Sequence, residues 1–242
     1  MNDQLALHAE QVRQLCDSKA PTWPAKYEVG GKLTGRLTRL MDALLSQVPA
    51  GSRVLDIGCG TGELARALAA AGMRVTGCDI SVEMLLQAVR NDADGPVEWV
   101  ELHTEWQTLP FQPESFDAVV AASLLEYVTD PALVLAQCGR ILRPAGILIC
   151  TVPNVRYPIR WFEWVAAQVV RPSGAHLAAM PSPAVGRYLK YLAISCQRHR
   201  FSWWTAVAAQ AGLDAAPRAA VRAKNSALCL LTFINQRGTE HR

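Results

Sequence analysis

Nine consecutive residues, Val54-Leu55-Asp56-Ile57-Gly58-Cys59-Gly60-Thr61-Gly62, form the densest chemical signal in the sequence. A short apolar run of β character ends in glycines, and a stretch rich in helix formers follows at 63–71. Glycines between a strand and a helix let the backbone turn sharply and come close to a ligand. Asp79 ends the next apolar run, about 20 residues beyond the loop, where a carboxylate can accept both hydroxyls of a ribose. The spacing is G-x-G-x-G, not the G-x-G-x-x-G of dinucleotide sites, and the G-K-[ST] of a phosphate loop is absent. Many tight turns are glycine-rich without binding anything, so Asp79 is what tips the balance. The ligand these residues suit is a nucleoside with a ribose and no required pyrophosphate.

The elements that must hold these residues alternate. Strands are expected at 54–57, 74–78, 97–102, 116–122 and 146–152. Helices are expected at 63–71, from an N-cap at Ser81 to about Arg90, and at 131–142. Such alternation means a doubly wound, mostly parallel α/β sheet with helices on both faces. After Pro153 the rhythm breaks. Residues 155–198 hold four prolines and no strand-like run, which reads as a helical insertion after strand five. A helix at 203–211, capped by Ser202, and a strand at 226–234 then resume the pattern.

With 242 residues, the chain fits one domain with an elaboration at roughly 150 residues per domain. Half of it is hydrophobic and 19% is charged, which excludes a disordered or tail-like protein. The net charge of +3 gives no global case for nucleic acid. No run approaches the ~18 apolar residues of a membrane span, and the first 20 residues lack the apolar core of a signal peptide. Seven scattered cysteines, without metal-ligand spacing, read as reduced thiols in a cytoplasmic protein that holds no metal.

The motifs VLDIGCGTG at 54–62, VTGCDIS at 75–81, LPF at 109–111, FDAVVAASLLEYVTDP at 116–131 and GILICTVPN at 146–154 occur in one order. In that order the sequence resembles the class I S-adenosylmethionine-dependent methyltransferases, over about residues 53–154 and more loosely over 201–234. The resemblance implies a seven-stranded Rossmann-like sheet with S-adenosylmethionine as cofactor. It implies four parts: an N-terminal helical segment, 1–50, closing over the cofactor; a cofactor-binding core, 51–154; a helical substrate lid, 155–198; and a completion of the sheet, 199–242. Gly58, Cys59, Gly60 and Gly62 would pass the methionine moiety, with Asp56 ordering loop and cofactor. Asp79 would hold the ribose and Ile80 pack beside the adenine. Glu105 and Trp106 stand where an Asp and a small residue usually meet the adenine, so both the reach of Glu105 and a stacking role for Trp106 are open. Ala122 and Ser123 would line the methyl-donor end. Tyr27, with Lys26, would help close the site from a loop that includes Gly30.

One departure bears on chemistry. Glu126-Tyr127 stands where many relatives carry Glu-His, which makes Tyr127 a packing or substrate-facing aromatic rather than a base. Weak candidates for a base, if one is needed, are Tyr157, His176 and His199.

The insertion carries Arg156, Arg160, Arg171, Arg187, Lys190 and Arg198 against Glu163, a local excess of five positive charges among aromatic residues. Three readings stay open. It is an ordinary lid with solvated arginines; or it meets an anionic or aromatic substrate, with Tyr157, Arg160 and Trp161 in contact; or residues 158–171 lie peripherally on a membrane. The insert is placed as in ubiquinone-type and porphyrin-type O-methyltransferases. The expected activity is methyl transfer to a small molecule, at oxygen first and at nitrogen as the alternative. Nucleic-acid methylation and a non-catalytic cofactor-binding subunit rank below both, and the oligomeric state is not legible.

Overall fold

The apolar runs form one seven-stranded sheet in the computed structural model, which describes residues 2–28, 31, 33–170, 183–221 and 227–236. Its strands are β1 (Arg53–Ile57), β2 (Arg74–Asp79), β3 (Glu98–Glu101), β4 (Phe116–Ala122), β5 (Leu142–Pro153), β6 (Leu213–Val221) and β7 (Leu228–Asn235). The order across the sheet is β3-β2-β1-β4-β5-β7-β6, and β7 runs antiparallel to both of its neighbours. The helices are α1 (Asn2–Lys19), α2 (Thr34–Leu45), α3 (Glu63–Ala70), α4 (Val82–Arg90), α5 (Pro131–Ile141), α6 (Pro158–Val170), α7 (Pro183–Ile194) and α8 (Phe201–Gln210).

Successive side chains of a strand point to opposite faces, and both faces here are covered. Leu55, Ile57, Val119, Ala121, Leu148 and Cys150 pack against α5 and α8, where Leu135, Cys138 and Trp204 are buried. Val54, Val75, Ala118, Val120 and Ile149 pack the other way, against Leu40 and Leu44 of α2 and Leu64 and Leu68 of α3. Each fully buried Leu or Ile contributes about 1.5–3 kcal/mol. Strand order reverses between β1 and β4, so their carboxyl ends splay apart and open the crevice in which folds of this class bind ligands.

Three expectations needed correction. β6 went unseen because LDAAPRAAV, with its alanines and Pro217, lacks strand character; as an edge strand with a register break between Ala215 and Ala220 it tolerates both. Ser202 is not a cap: α8 starts at Phe201, with Arg200 before it and no side-chain cap. Helix α5 stops at Ile141, and β5 begins at Leu142 opposite Phe116 rather than after Pro144. The N-cap read at Ser81 is present, its hydroxyl accepting from the Met84 N–H at 3.2 Å. Ser226 and Arg171 lie outside the described residues. Among the described residues, no helix is long and apolar enough to cross a membrane.

Gly62 is a packing glycine. It has φ of +80°, and a Cβ there would sit 2.3 Å from the Trp99 ring. Gly62→Ala adds a methyl without room and a left-handed backbone that Ala resists. Urea unfolding is expected to show a loss of about 2–4 kcal/mol, part of it restored when Trp99 is replaced by Leu.

Candidate functional site

The end of β2 fixes the loop that follows β1. The Cys78 carbonyl accepts from Gly58 N–H at 2.7 Å and from Cys59 N–H at 3.0 Å. Asp79 is buried, and its two oxygens take the N–H groups of Gly60 and Ser81, each at 2.9 Å. Burial raises this carboxyl above the ordinary range, while the hydrogen bonds from Ser81, Gly60 and Ile80 hold the rise back. Gly60, with φ of +57°, faces Trp23, whose Nε1 would lie 3.6 Å from a Cβ at this position. Lys26 Nζ stands 3.7 Å from the centre of the Trp23 ring, a contact within the N-terminal loop.

A cavity of about 1360 Å³ opens above these residues. Its wall includes Tyr27, Asp56, Gly58, Cys59, Gly60, Asp79, Ile80, Glu105, Trp106, Ala122 and Ser123, so eleven of twelve expected cofactor contacts converge. Gly62 is the exception, turned toward Trp99. Of the expected substrate contacts, Tyr127 and Arg160 line the cavity; Tyr157 and Trp161 do not. The Tyr157 backbone starts α6, and Trp161 projects outward, 60% exposed. His199 is also no part of the wall. Its ring stacks on Trp203 at 3.6 Å, its Nε2 lies 2.7 Å from Gln197 Oε1, and burial lowers its pKa. His176 and Gly30 lie outside the described residues.

Two orphaned atoms stand out. Asp56 Oδ2 and Arg36 Nε are buried without a hydrogen-bond partner, although both residues line the cavity. Desolvation, then the charge of Asp79, pushes the Asp56 carboxyl up to about 7, and Arg36 pulls it back. Arg36 was not picked out from the sequence, because one arginine among several on a helix carries no distinguishing pattern. Around the far end, α1 adds His8, Val12 and Cys16, and α7 adds Tyr188 and Tyr191.

The charges of α6 and α7 largely serve the fold. Arg160 donates to Glu163 Oε2 at 2.8 Å and to the Tyr191 hydroxyl, and Arg198 donates to the same Glu163 oxygen at 3.2 Å. Tyr188 donates to Glu163 Oε1 at 3.0 Å. Glu126 accepts from Ser195 at 3.1 Å and from Tyr191 at 3.3 Å. The side chain of Arg187 is outside the described residues.

Residues 55–150 match the family model of the methyltransferase domain. That stretch of the chain is a methyltransferase domain. The ubiquinone biosynthesis O-methyltransferase of Xylella fastidiosa (strain 9a5c) is 34% identical over 141 residues, covering 56% of this chain and 57% of the relative. The chain spans about half the length of the curated relatives it matches. Among solved structures, the Haloferax volcanii putative methyltransferase complex with the Trm112 activator aligns with a TM-score of 0.61, at 19% identity over 91% of this chain and 97% of that one. The S-adenosylmethionine-dependent methyltransferase of Mesorhizobium loti aligns with a TM-score of 0.57, at 19% identity over 80% and 96%. Both likenesses concern the fold of the methyltransferase domain and its flanking helices.

The raised Asp56 pKa gives a stability test. Between about pH 3.9, the unfolded value, and about 7, the folded methyltransferase domain retains a proton that the unfolded chain releases. Stability from neutral Asp56 is therefore full at low pH and is lost as pH rises through 7. In the ligand-free protein, Asp56→Asn is expected to raise the melting temperature at pH 8 and to flatten its fall between pH 4 and 7.5; a residual slope belongs to Asp79.

Proposed function

We propose that the protein transfers a methyl group from S-adenosylmethionine to a hydroxyl of a small aromatic acceptor. The observation that carries this reading is the extent of the cavity, which continues past Ser123 to walls made by Tyr127, Tyr188, Tyr191, Val12 and Leu133. Its volume exceeds the ~300–1,000 Å³ of a typical single-ligand pocket, leaving space for an acceptor beside a cofactor. The relatives named for O-methylation in ubiquinone biosynthesis support oxygen over nitrogen.

The residues present suit the cofactor. Asp79, already fixed by two backbone N–H groups, keeps lone pairs for the ribose hydroxyls. The orphaned Asp56 carboxyl and Arg36 guanidinium suit the ammonium and carboxylate of the methionine part. Ile80 and Trp106 offer half-buried apolar surface to a purine, and Glu105 a carboxylate to its amine. Bound S-adenosylmethionine supplies a methyl group activated by its sulfonium. The chain's own task is to align an acceptor with it and exclude water, and alignment of this kind lowers barriers by about 7–11 kcal/mol.

S-adenosylhomocysteine at 100 times its Kd is expected to stabilise the protein by about 2.7 kcal/mol. That gain should vanish in Asp79→Ala, and its absence from the wild type would refute the cofactor site. Incubation with labelled cofactor and a panel of catechols, phenols and amines tests the acceptor, with label in the amines alone pointing to nitrogen.

A second reading concerns the outer face of α6. Trp161, Phe162 and Trp164 are 60%, 68% and 49% exposed, and the basic residues Arg156, just before α6, and Lys190, on α7, are exposed too. Aromatic residues flanked by cations suit the headgroup region of an anionic lipid surface. Co-flotation with phosphatidylglycerol vesicles is expected, weakened by salt and by Trp161→Ala with Trp164→Ala. Indifference to all three would remove the membrane contact.

A further inference from the structure

We propose that His8 is the general base for the acceptor hydroxyl, standing in space where Tyr127 stands in sequence. The inference rests on the reading of the acceptor as a hydroxyl. Tyr127 occupies the position at which a histidine would follow Glu126, and its own side chain is a poor base. It is partly buried, edge-on to Tyr191 with ring centres 6.2 Å apart, and desolvation holds its hydroxyl protonated far above neutrality. An imidazole nevertheless reaches this point from the other end of the chain. His8 Nε2 lies 2.7 Å from the Tyr127 carbonyl oxygen and 4.0 Å from Cys196 Sγ.

That hydrogen bond selects the tautomer. A carbonyl oxygen accepts only, so Nε2 carries the proton, and in the neutral ring Nδ1 keeps its lone pair. Among the described residues Nδ1 has no partner, and it is not a buried atom. His8 lies on the stripe of α1 that forms cavity wall, with Leu5, Val12 and Cys16 one or two turns away. The carbonyl that orients it belongs to the turn closed by Tyr127 N–H and Leu124 O at 3.0 Å, directly after Ser123 at the end of β4. The base thus lines the cavity that Ser123 also lines, whereas His199 does not. The ionisable groups lining this part of the cavity are Cys16 and Lys19 from α1, Glu126, Tyr127 and Asp130 after β4, Arg160 and Glu163 from α6, and Tyr188 and Tyr191 from α7, with Cys196 beyond it; Arg160 and Tyr188 are bonded to Glu163. Burial raises the Cys16 thiol to about 12 and lowers Lys19, and Glu126 is bonded to Ser195 and Tyr191. Of this set the imidazole alone offers a ring-nitrogen lone pair that meets no partner among the described residues.

In the step, the hydroxyl proton passes to Nδ1 as the oxygen lone pair forms the new C–O bond. The electron pair of the breaking S–CH3 bond stays on sulfur as the thioether, and the imidazolium returns its proton to solvent. Two measurements test this on the full chain. First, nitrogen chemical shifts of the histidines should show a bare Nδ1 and a protonated Nε2 for His8 at pH 8, assigned by their loss in His8→Gln. Second, with catechol and 4-alkylcatechols as acceptors, His8→Gln should lower kcat by about 10²–10⁴-fold and abolish the acid limb of the pH–rate profile. The Gln amide can still donate to the Tyr127 carbonyl, so the thermal shift with S-adenosylhomocysteine should be unchanged. Catechol methylation by His8→Gln within twofold of wild type, or a proton on Nδ1, overturns the base and leaves the acceptor reading intact. Methylation of amines but of no hydroxyl overturns both.

Discussion

A single buried carboxylate joins the two halves of the site. Asp79 ends β2 and receives one N–H from the glycine loop and one from the start of α4. The loop therefore cannot shift without unpairing a buried carboxylate, at a cost of several kcal/mol. Asp56, a strand away and also buried, adds a second carboxyl whose Oδ2 has no hydrogen-bond partner and whose pKa burial pushes up to about 7. The two acids make a floor that is rigid and electrostatically unfinished, which is what a cationic guest requires. Positive φ at the loop glycines is part of this arrangement, since only a chain without side chains can bend over the floor so tightly.

Most of this floor was legible in the sequence. Strand, glycines, helix and a carboxylate at the next strand end are local patterns, and each obeys a short-range rule. The sheet interior was equally plain, because parallel strands buried on both faces read as unbroken apolar runs such as Phe116–Ala122. What escaped was whatever depends on distant partners. An alanine-rich edge strand with a proline has no sequence signature of its own, and β6 exists because β7 offers it an edge. Gly62 looked like its neighbours in the loop, but the Trp99 ring, 37 positions later, decides its role. Arg36 and His8 are each one polar residue on a helix, and only the fold reveals what faces them.

The basic insertion shows how charges are shared out within a fold. Its excess of five positive charges left a solvated lid, an anionic or aromatic substrate and a membrane surface all open. In the fold, Glu163 takes both Arg160 and Arg198, and Tyr188 and Tyr191 join the same network with Glu126. A buried network of this kind contributes less to stability than to fixing one arrangement, because desolvation offsets much of the attraction. Here the arrangement it fixes is the angle of α6 and α7 over the cavity. The apolar side chains that find no place in it are left on the outer face, where Trp161 and Phe162 stand.

Helix α1 also has a consequence in the order of synthesis. Its residues leave the ribosome before those of the sheet, yet His8 is anchored on Tyr127 and Cys196, partners 119 and 188 positions later. Asp17 likewise waits for Ser81, 64 positions on, to donate to its carboxylate at 2.5 Å. The sheet strands β1, β2 and β4 can pair while translation continues, at about 5–20 residues per second, but the cavity wall cannot close until α7 and the segment after it have emerged. Helix α1, made before the sheet, is thus among the last elements to settle. During that interval the amphipathic stripe of α1 and the acidic floor are both exposed, and the nascent chain has its sheet before it has a site.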